Sequence, residues 1–174
     1  PITLGAAFML LLTYKIHIEL IGKKRALISP LILSTTFLWI NYSHLATQDV
    51  IFSSLVTFGI FSSIKFNTEK NNFYSFLSGI WIGLAFMLKT YLVLIPFIAL
   101  VPYFINIKIF FKRYFWYGLI LGFCPFLIWG FNIISTYGFE SFSGLYKKLL
   151  TLSSNNNFTN PFYYYIWNLP INFF

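Results

Sequence analysis

Residues 78–104 read SGIWIGLAFMLKTYLVLIPFIALVPYF, and this stretch decides the fold class. Lys89 is the only charged residue in it, so two apolar runs meet at a single cation. A helix needs about 20 mostly apolar residues to cross a bilayer. We therefore predict that residues 71–88 and 90–107 form a helical hairpin in the membrane that turns near Lys89.

The whole chain of 174 residues has the same apolar character. Hydrophobic residues make up 58% of it and charged residues 9%, whereas soluble domains carry about 25% charged residues. Further apolar runs cover 2–22, 26–48, 50–64 and 114–139. We predict an all-α, polytopic bundle with about six to seven membrane helices. Residues 137–174 are predicted to form an outer loop that leads into a further membrane or interfacial helix.

The positive charges lie in short clusters between the apolar runs, although the net charge is +8. This layout is typical of membrane-protein loops, so we predict no binding of nucleic acid. Alternating the predicted helices places nine of the twelve cations on one side, which the positive-inside rule makes cytoplasmic. Those nine are Lys15, Lys23, Lys24, Arg25, Lys65, Lys70, Lys108, Lys112 and Arg113.

Asp49 stands alone at the start of the apolar run 50–64. A charge at the bilayer centre costs about 2.5–3.5 kcal/mol on insertion scales, so an isolated acid beside a span is a candidate functional residue. At the start of a helix, however, the helix dipole favours a carboxylate. Two interpretations stay open: an interfacial helix-start residue, or a catalytic-site carboxylate that faces an outer cavity.

Lys89 is predicted on the same outer side, either as a lysine that extends to the interface or as a ligand of a lipid phosphate. His44 precedes Asp49 by five residues, and either structural hydrogen bonding or substrate contact would explain it. Lys147 and Lys148 are solvated loop cations or contacts for an anionic headgroup. Tyr91 and Tyr164 are further candidates for substrate binding, with an interfacial aromatic belt as the alternative for the second. No Cys/His cluster points to a metal site.

Four stretches together resemble the polytopic glycosyltransferases of the GT-C superfamily, in particular the protein O-mannosyltransferases, the bacterial aminoarabinose transferases and the related glycosyltransferase 39 family. In that family, a turn that carries an acid precedes one helix, and a helix rich in small residues ends near a lysine. Asp49 and Lys89 occur in the same order and at a similar spacing here. Thr90 differs, because the family has glycine after the lysine. The stretches are IGKKRALISPLILSTTFLWINYSH (21–44), HLATQDVIFSSLVTFGIFSSIK (44–65), residues 78–104 and NPFYYYIWNLP (160–170).

The resemblance implies an integral-membrane enzyme that moves a sugar from a polyprenyl-phosphate donor to a lipid, glycan or protein acceptor on the outer face. Asp49 matches the family's second acid, which shapes the donor-phosphate or metal site, and Lys89 matches the lysine near the lipid phosphate. The main general base is expected before Pro1, which makes residues 1–174 part of one domain truncated at both ends. No cofactor is implied with certainty, and a divalent metal stays an open option.

Two other functional classes are compatible with the residues. A transporter or flippase of a lipid-linked sugar would carry ionisable groups near the membrane midplane, whereas the acids here lie near predicted interfaces. A membrane subunit without activity is the other alternative. The short loops and the Phe, Ile and Asn usage indicate a bacterial plasma membrane. The resemblance implies a reaction on the outer side, so we expect the site on the periplasmic side.

Overall fold

The computed structural model describes residues 2–45, 47–138, 143, 144 and 147, without the side chains of Leu38 and His44. Seven α-helices lie in these ranges, and none of the described residues forms a strand. Short 3-10 turns precede α2, α6 and α7. The helices are α1 Ile2–Leu20, α2 Ile28–Thr35, α3 Phe37–His44, α4 Gln48–Glu69, α5 Asn72–Lys89, α6 Leu94–Asn106 and α7 Arg113–Tyr137.

The apolar helices are long enough for an integral membrane protein. Four helical segments among the described residues could cross a membrane by length and composition: Ile2–Leu20, Gln48–Glu69, Asn72–Asn106 and Arg113–Tyr137. The all-α membrane class predicted from composition is therefore confirmed. The predicted count of six to seven membrane helices is not confirmed by these four segments.

The uninterrupted span predicted for residues 26–48 is wrong, because this run forms the two eight-residue helices α2 and α3. The break lies at Thr36, whose backbone is extended with ψ 137°. Three successive hydroxyls, those of Ser34, Thr35 and Thr36, donate to the carbonyls of Leu31, Ile32 and Leu33. Such local bonds compete with the helical ladder, so the chain can leave the helix here.

Contacts between the helices fix their directions. Phe8 of α1 packs on Phe58 of α4, and Glu19 of α1 contacts Lys65 of α4. Residue numbers thus increase in the same direction along both helices, which are therefore parallel. The hairpin α4–α5 turns at Lys70, which adopts the left-handed conformation with φ 54°. These two helices are consequently antiparallel.

Glycines bring α5 and α7 into close contact. A side chain on Gly79 would collide with the backbone at Phe115, and one on Gly83 would collide with the backbone at Gly122. The spacing Gly-x-x-x-Gly thus lets the two backbones approach, as small residues do between membrane helices. The order of these contacts makes α5 and α7 parallel, so the chain between them must return along α6. It turns after Lys89, where the hairpin was predicted.

The bundle therefore has two chemically different ends. We call them the Asp49 end, where α4 begins and α5 finishes, and the Lys70 end, where α4 finishes and α5 begins. The Lys70 end also holds the start of α7 at Arg113 and the turn after α1, residues 23–25. Seven of the nine cations predicted to share one side lie in or beside these turns at the Lys70 end. The other two, Lys15 and Lys65, lie about one turn inside α1 and α4, and the Lys15 ammonium lies over the ring of Phe61.

An ion triad connects two helices at the Lys70 end, and a buried apolar cluster runs along the bundle. The Lys65 ammonium lies 2.7 Å from a carboxylate oxygen of Glu19 and 2.6 Å from one of Glu69, which ties α1 to α4. Lys15 and Glu19 are four residues apart and so lie on one face of α1, yet the ion-pair partner of Glu19 is Lys65. An apolar cluster extends from this end to Val93, in the turn after α5. It contains the buried side chains of Phe66, Trp81, Ile82, Ala85, Val93, Phe104, Ile107, Ile109 and Phe115.

Two compact units make up the chain, residues 1–126 and residues 127–174. The helices and contacts described above belong to the first unit, apart from the last turns of α7. In the second unit, Ser135 and Thr136 donate hydrogen bonds to the carbonyl of Asn132, and α7 ends at Tyr137. Gly138 follows with φ 73°. The predicted outer loop and further helix at 137–174 fall mostly outside the described residues.

Candidate functional site

Asp49 is the second residue of α4, in its first turn, and the extended residue Thr47 precedes the helix. About half of its side chain is exposed, at 52%. The helix dipole favours a carboxylate at this position. The local placement therefore agrees with the helix-start interpretation, and the surroundings of Asp49 must decide whether it also belongs to a site.

Lys89 is the last residue of α5, and its ammonium lies 2.5 Å from a carboxylate oxygen of Asp49. The sequence predicted a shared outer location for these two residues, and the structure brings them into direct contact. With side-chain exposures of 27% and 52%, the pair is screened by solvent. Exposed ion pairs contribute about 0–1 kcal/mol to stability, so this pair contributes little to holding α4 and α5 together.

A cavity of about 190 Å³ lies beside the ion pair. Its charged side is formed by Asp49 and Lys89, and the remaining lining residues are apolar. These are Phe52 on α4, Leu92 in the turn before α6, and Ile95 and Pro96 on α6. The volume suits one small group such as a phosphate, since pockets for drug-sized ligands measure about 300–1,000 Å³.

Thr90 follows Lys89 and is the first residue of the 3-10 turn Thr90–Val93. Its backbone conformation is unusual, with φ 42° and ψ −109°. A positive φ is disfavoured for a β-branched residue but open to glycine. Glycine is also what the resembled family carries after its lysine. Thr90 therefore holds the end of α5 in a conformation that glycine would adopt without strain.

We expect Thr90→Gly to stabilise the protein by about 1 kcal/mol, because relief of the strained φ exceeds the added freedom of the unfolded chain. The apparent melting temperature in detergent checks this. Thr57→Gly is the matched control: Thr57 lies inside α4, where glycine costs about 0.5–1 kcal/mol. Equal destabilisation by both substitutions would contradict the strain argument.

The other candidates are placed separately. Tyr91 follows Thr90 in the same 3-10 turn and is 59% exposed, one residue before the cavity-lining Leu92. Helix α3 ends at His44, whose side chain lies outside the described part. Lys147 is exposed and belongs to the second unit. Lys148 and Tyr164 lie outside the described residues, so their predicted roles stay predictions.

The described part of the chain contains no group of three His, Cys, Asp or Glu side chains that could bind a divalent metal. Asp49 supplies one carboxylate, but the Lys89 ammonium in contact with it would repel a cation. The residues described at this site do not fit a metal, and no reaction step is derived through one.

The apolar wall of the cavity was not predicted from the sequence. Phe52 could have been found, since it lies three residues after Asp49 and therefore on the same helical face. Leu92, Ile95 and Pro96 reach the site only because α6 folds back after Lys89, and their apolar side chains are indistinguishable in the sequence from lipid-facing ones. The direct contact between Asp49 and Lys89 was not predicted either, because a topology argument gives only the side of the membrane on which each residue lies.

Comparison with known proteins gives one match. The family model described as dolichyl-phosphate-mannose-protein mannosyltransferase matches residues 1–129, which is most of the chain and includes both Asp49 and Lys89. No curated protein and no solved structure matches the chain. The chain is an integral membrane protein that belongs to the dolichyl-phosphate-mannose-protein mannosyltransferase-like family of GT-C glycosyltransferases, which implies membrane glycosyltransferase activity with a lipid-linked donor.

Proposed function

We propose that the chain transfers a hexose or pentose from a polyprenyl-phosphate donor to a lipid, glycan or protein acceptor at the Asp49 end. The observation that carries this proposal is the ion pair Asp49–Lys89 at a cavity with one charged and one apolar side. A polyprenyl phosphate has the same two-part character, because its anionic phosphate is joined directly to a hydrocarbon chain. The hydrocarbon would lie against Leu92, Ile95 and Pro96.

Lys89 serves as the cation that receives the donor phosphate. During transfer the acceptor hydroxyl oxygen bonds to the anomeric carbon while the bond from that carbon to the phosphate oxygen breaks. The electron pair leaves with the polyprenyl phosphate, and the acceptor proton passes to a carboxylate base. A preorganised ammonium stabilises the negative charge that develops on the departing phosphate.

Asp49 and the phosphate then compete for the same ammonium. The ion pair is partly solvated and contributes about 0–1 kcal/mol, so the singly charged phosphodiester of the donor can compete with the carboxylate for the ammonium. The polyprenyl phosphate that departs is a monoester with up to two negative charges, and it competes more strongly. The displaced Asp49 is free to accept a hydrogen bond from a sugar or acceptor hydroxyl. In this scheme the ion pair is the resting state of the site, and donor binding opens it.

The Asp49 end is proposed as the outer, periplasmic face of a bacterial plasma membrane. The opposite end carries most of the cations, and the positive-inside rule assigns such an end to the cytoplasm. Counting α2 and α3 together as one crossing, the helices α1 to α7 cross the membrane about six times, and a seventh crossing would follow at the C-terminal end.

Sealed proteoliposomes that contain the full chain and a radiolabelled polyprenyl-phosphate sugar test this function. We expect label to move into an acceptor fraction from a membrane extract, with release of sugar-free polyprenyl phosphate. Vesicles without the protein are the control. If the sugar stays on its lipid and only changes leaflet, the chain is a flippase and the proposal fails.

A further inference from the structure

Four exposed cations lie at the Lys70 end, away from the Asp49 cavity. They are Lys70, Lys108, Lys112 and Arg113, and we call them the four-cation cluster. They come from three places in the chain: the end of α4, the turn after α6, and the start of α7. One buried apolar cluster beneath them contains Phe66, Ile107, Ile109 and Phe115, which holds these three places together.

The charge of the four-cation cluster is not neutralised within the described part of the chain. Glu19 and Glu69, the acids nearest in the fold, both bind Lys65 instead. Lys70 donates one hydrogen bond, to the side-chain oxygen of Asn67 at 3.0 Å, which leaves its charge without a counterion. The cluster is therefore a fixed concentration of positive charge that can attract an anion.

Two of these lysines adopt the left-handed backbone conformation, which is disfavoured for lysine. Lys70 has φ 54° and Lys108 has φ 58°, at positions where a chain turns after a helix and glycine is the usual residue. A lysine in each of these turns adds a positively charged residue just after the carboxyl ends of α4 and α6, where the helix dipole favours a cation. Both turns thus combine a tight reversal with an exposed charge.

Exposed apolar side chains flank the same cations. Phe73 is 58% exposed just after Lys70, Ile105 is 59% exposed just before Lys108, and Phe111 is 82% exposed next to Lys112. Helices α5 and α7, both within segments long enough to span a membrane, begin at this level. Cations beside exposed apolar groups at the end of membrane helices match a phospholipid, whose phosphate meets the charges while its acyl chains meet the apolar groups.

We propose that the four-cation cluster is a binding site for anionic phospholipid headgroups, distinct from the donor cavity at the Asp49 end. The chemistry selects a lipid with a net negative headgroup, such as phosphatidylglycerol, over zwitterionic phosphatidylcholine. The alternative is that these cations only orient the chain during membrane insertion and bind no lipid preferentially.

Lipid titration of the full chain in a neutral detergent, followed by native mass spectrometry, tests the proposal. We expect phosphatidylglycerol to bind at least tenfold more tightly than phosphatidylcholine. Lys70→Asn/Lys108→Asn should reduce that affinity at least tenfold, since each cation near an anionic surface contributes about fivefold. Asparagine tolerates the left-handed conformation, so the variant retains its turns. Helical content and melting temperature verify this.

The matched control is Lys23→Gln/Lys24→Gln, which removes the same net charge from the turn after α1. It should retain phosphatidylglycerol affinity within about twofold. Should the asparagine double variant fail to fold, Lys112→Gln/Arg113→Gln removes two other members of the cluster and is expected to show the same tenfold loss. Equal losses in the cluster and control variants, or no headgroup preference in the unmodified chain, would overturn the proposal.

Discussion

Asp49→Asn is expected to reduce sugar transfer per inserted molecule at least tenfold, which corresponds to about 1.4 kcal/mol of activation free energy. The substitution keeps the size and polarity of the side chain and removes its charge. The measurement is turnover with a polyprenyl-phosphate sugar, divided by the amount of protein inserted in the membrane. Asp49→Ala should show a loss at least as large, because it also removes the hydrogen-bond acceptor.

The amount of inserted protein should not change in either variant. Asp49 is 52% exposed, and the ion pair with Lys89 contributes about 0–1 kcal/mol. Asparagine is also well tolerated at a helix start. A loss of activity that follows protein abundance would therefore support the helix-start interpretation. If both variants turn over like the unmodified chain, Asp49 is a structural residue and the site lies elsewhere.

The sequence predicted the helices best where a long apolar run ended at a charge. Helix α5 ends at Lys89 as the hairpin prediction required, and α4 begins beside Asp49. Both residues are tolerated at these ends because the helix dipole favours an acid at the start and a base at the finish. The shared location of Asp49 and Lys89 follows from the antiparallel hairpin.

Two features of the fold escaped prediction for different reasons. The break at Thr36 depends on hydroxyls that bond to carbonyls of their own helix, and hydropathy does not register that competition. The pairing of Glu19 with Lys65 depends on α1 and α4 running in parallel, whereas a sequence indicates only the intrahelical neighbour Lys15. The apolar wall of the cavity at Ile95 and Pro96 escaped prediction for the same reason, because it forms only when α6 folds back beside the ion pair.

The coupling between Asp49 and Lys89 can be measured directly. In the proposed scheme the two residues have different tasks once the donor is bound, so the double variant Asp49→Asn/Lys89→Met should turn over clearly more slowly than either single variant. If the pair serves only to close the α4–α5 hairpin, removing both partners should be nearly equivalent to removing one, since each single variant already breaks the pair. Melting temperature and turnover are recorded for all four proteins.

Lys89→Met is expected to raise the apparent KM for the lipid donor at least tenfold, while the inserted protein stays at its normal level. Methionine fills a similar volume and lacks the charge that receives the phosphate. A tenfold loss corresponds to about 1.4 kcal/mol, just below the range of about 1.5–3 kcal/mol for hydrogen bonds to charged groups, as expected for a partly solvated ammonium.

Lys89→Arg separates charge from geometry at the same position. It keeps the positive charge, so its effect on the donor KM should be smaller than that of methionine. Some loss is still expected, because a planar guanidinium cannot replace a compact ammonium in a cavity of about 190 Å³ without rearrangement. An unchanged donor KM in Lys89→Met would identify Lys89 as a residue that merely extends to the membrane interface, and the donor phosphate would then need another cation at the Asp49 end.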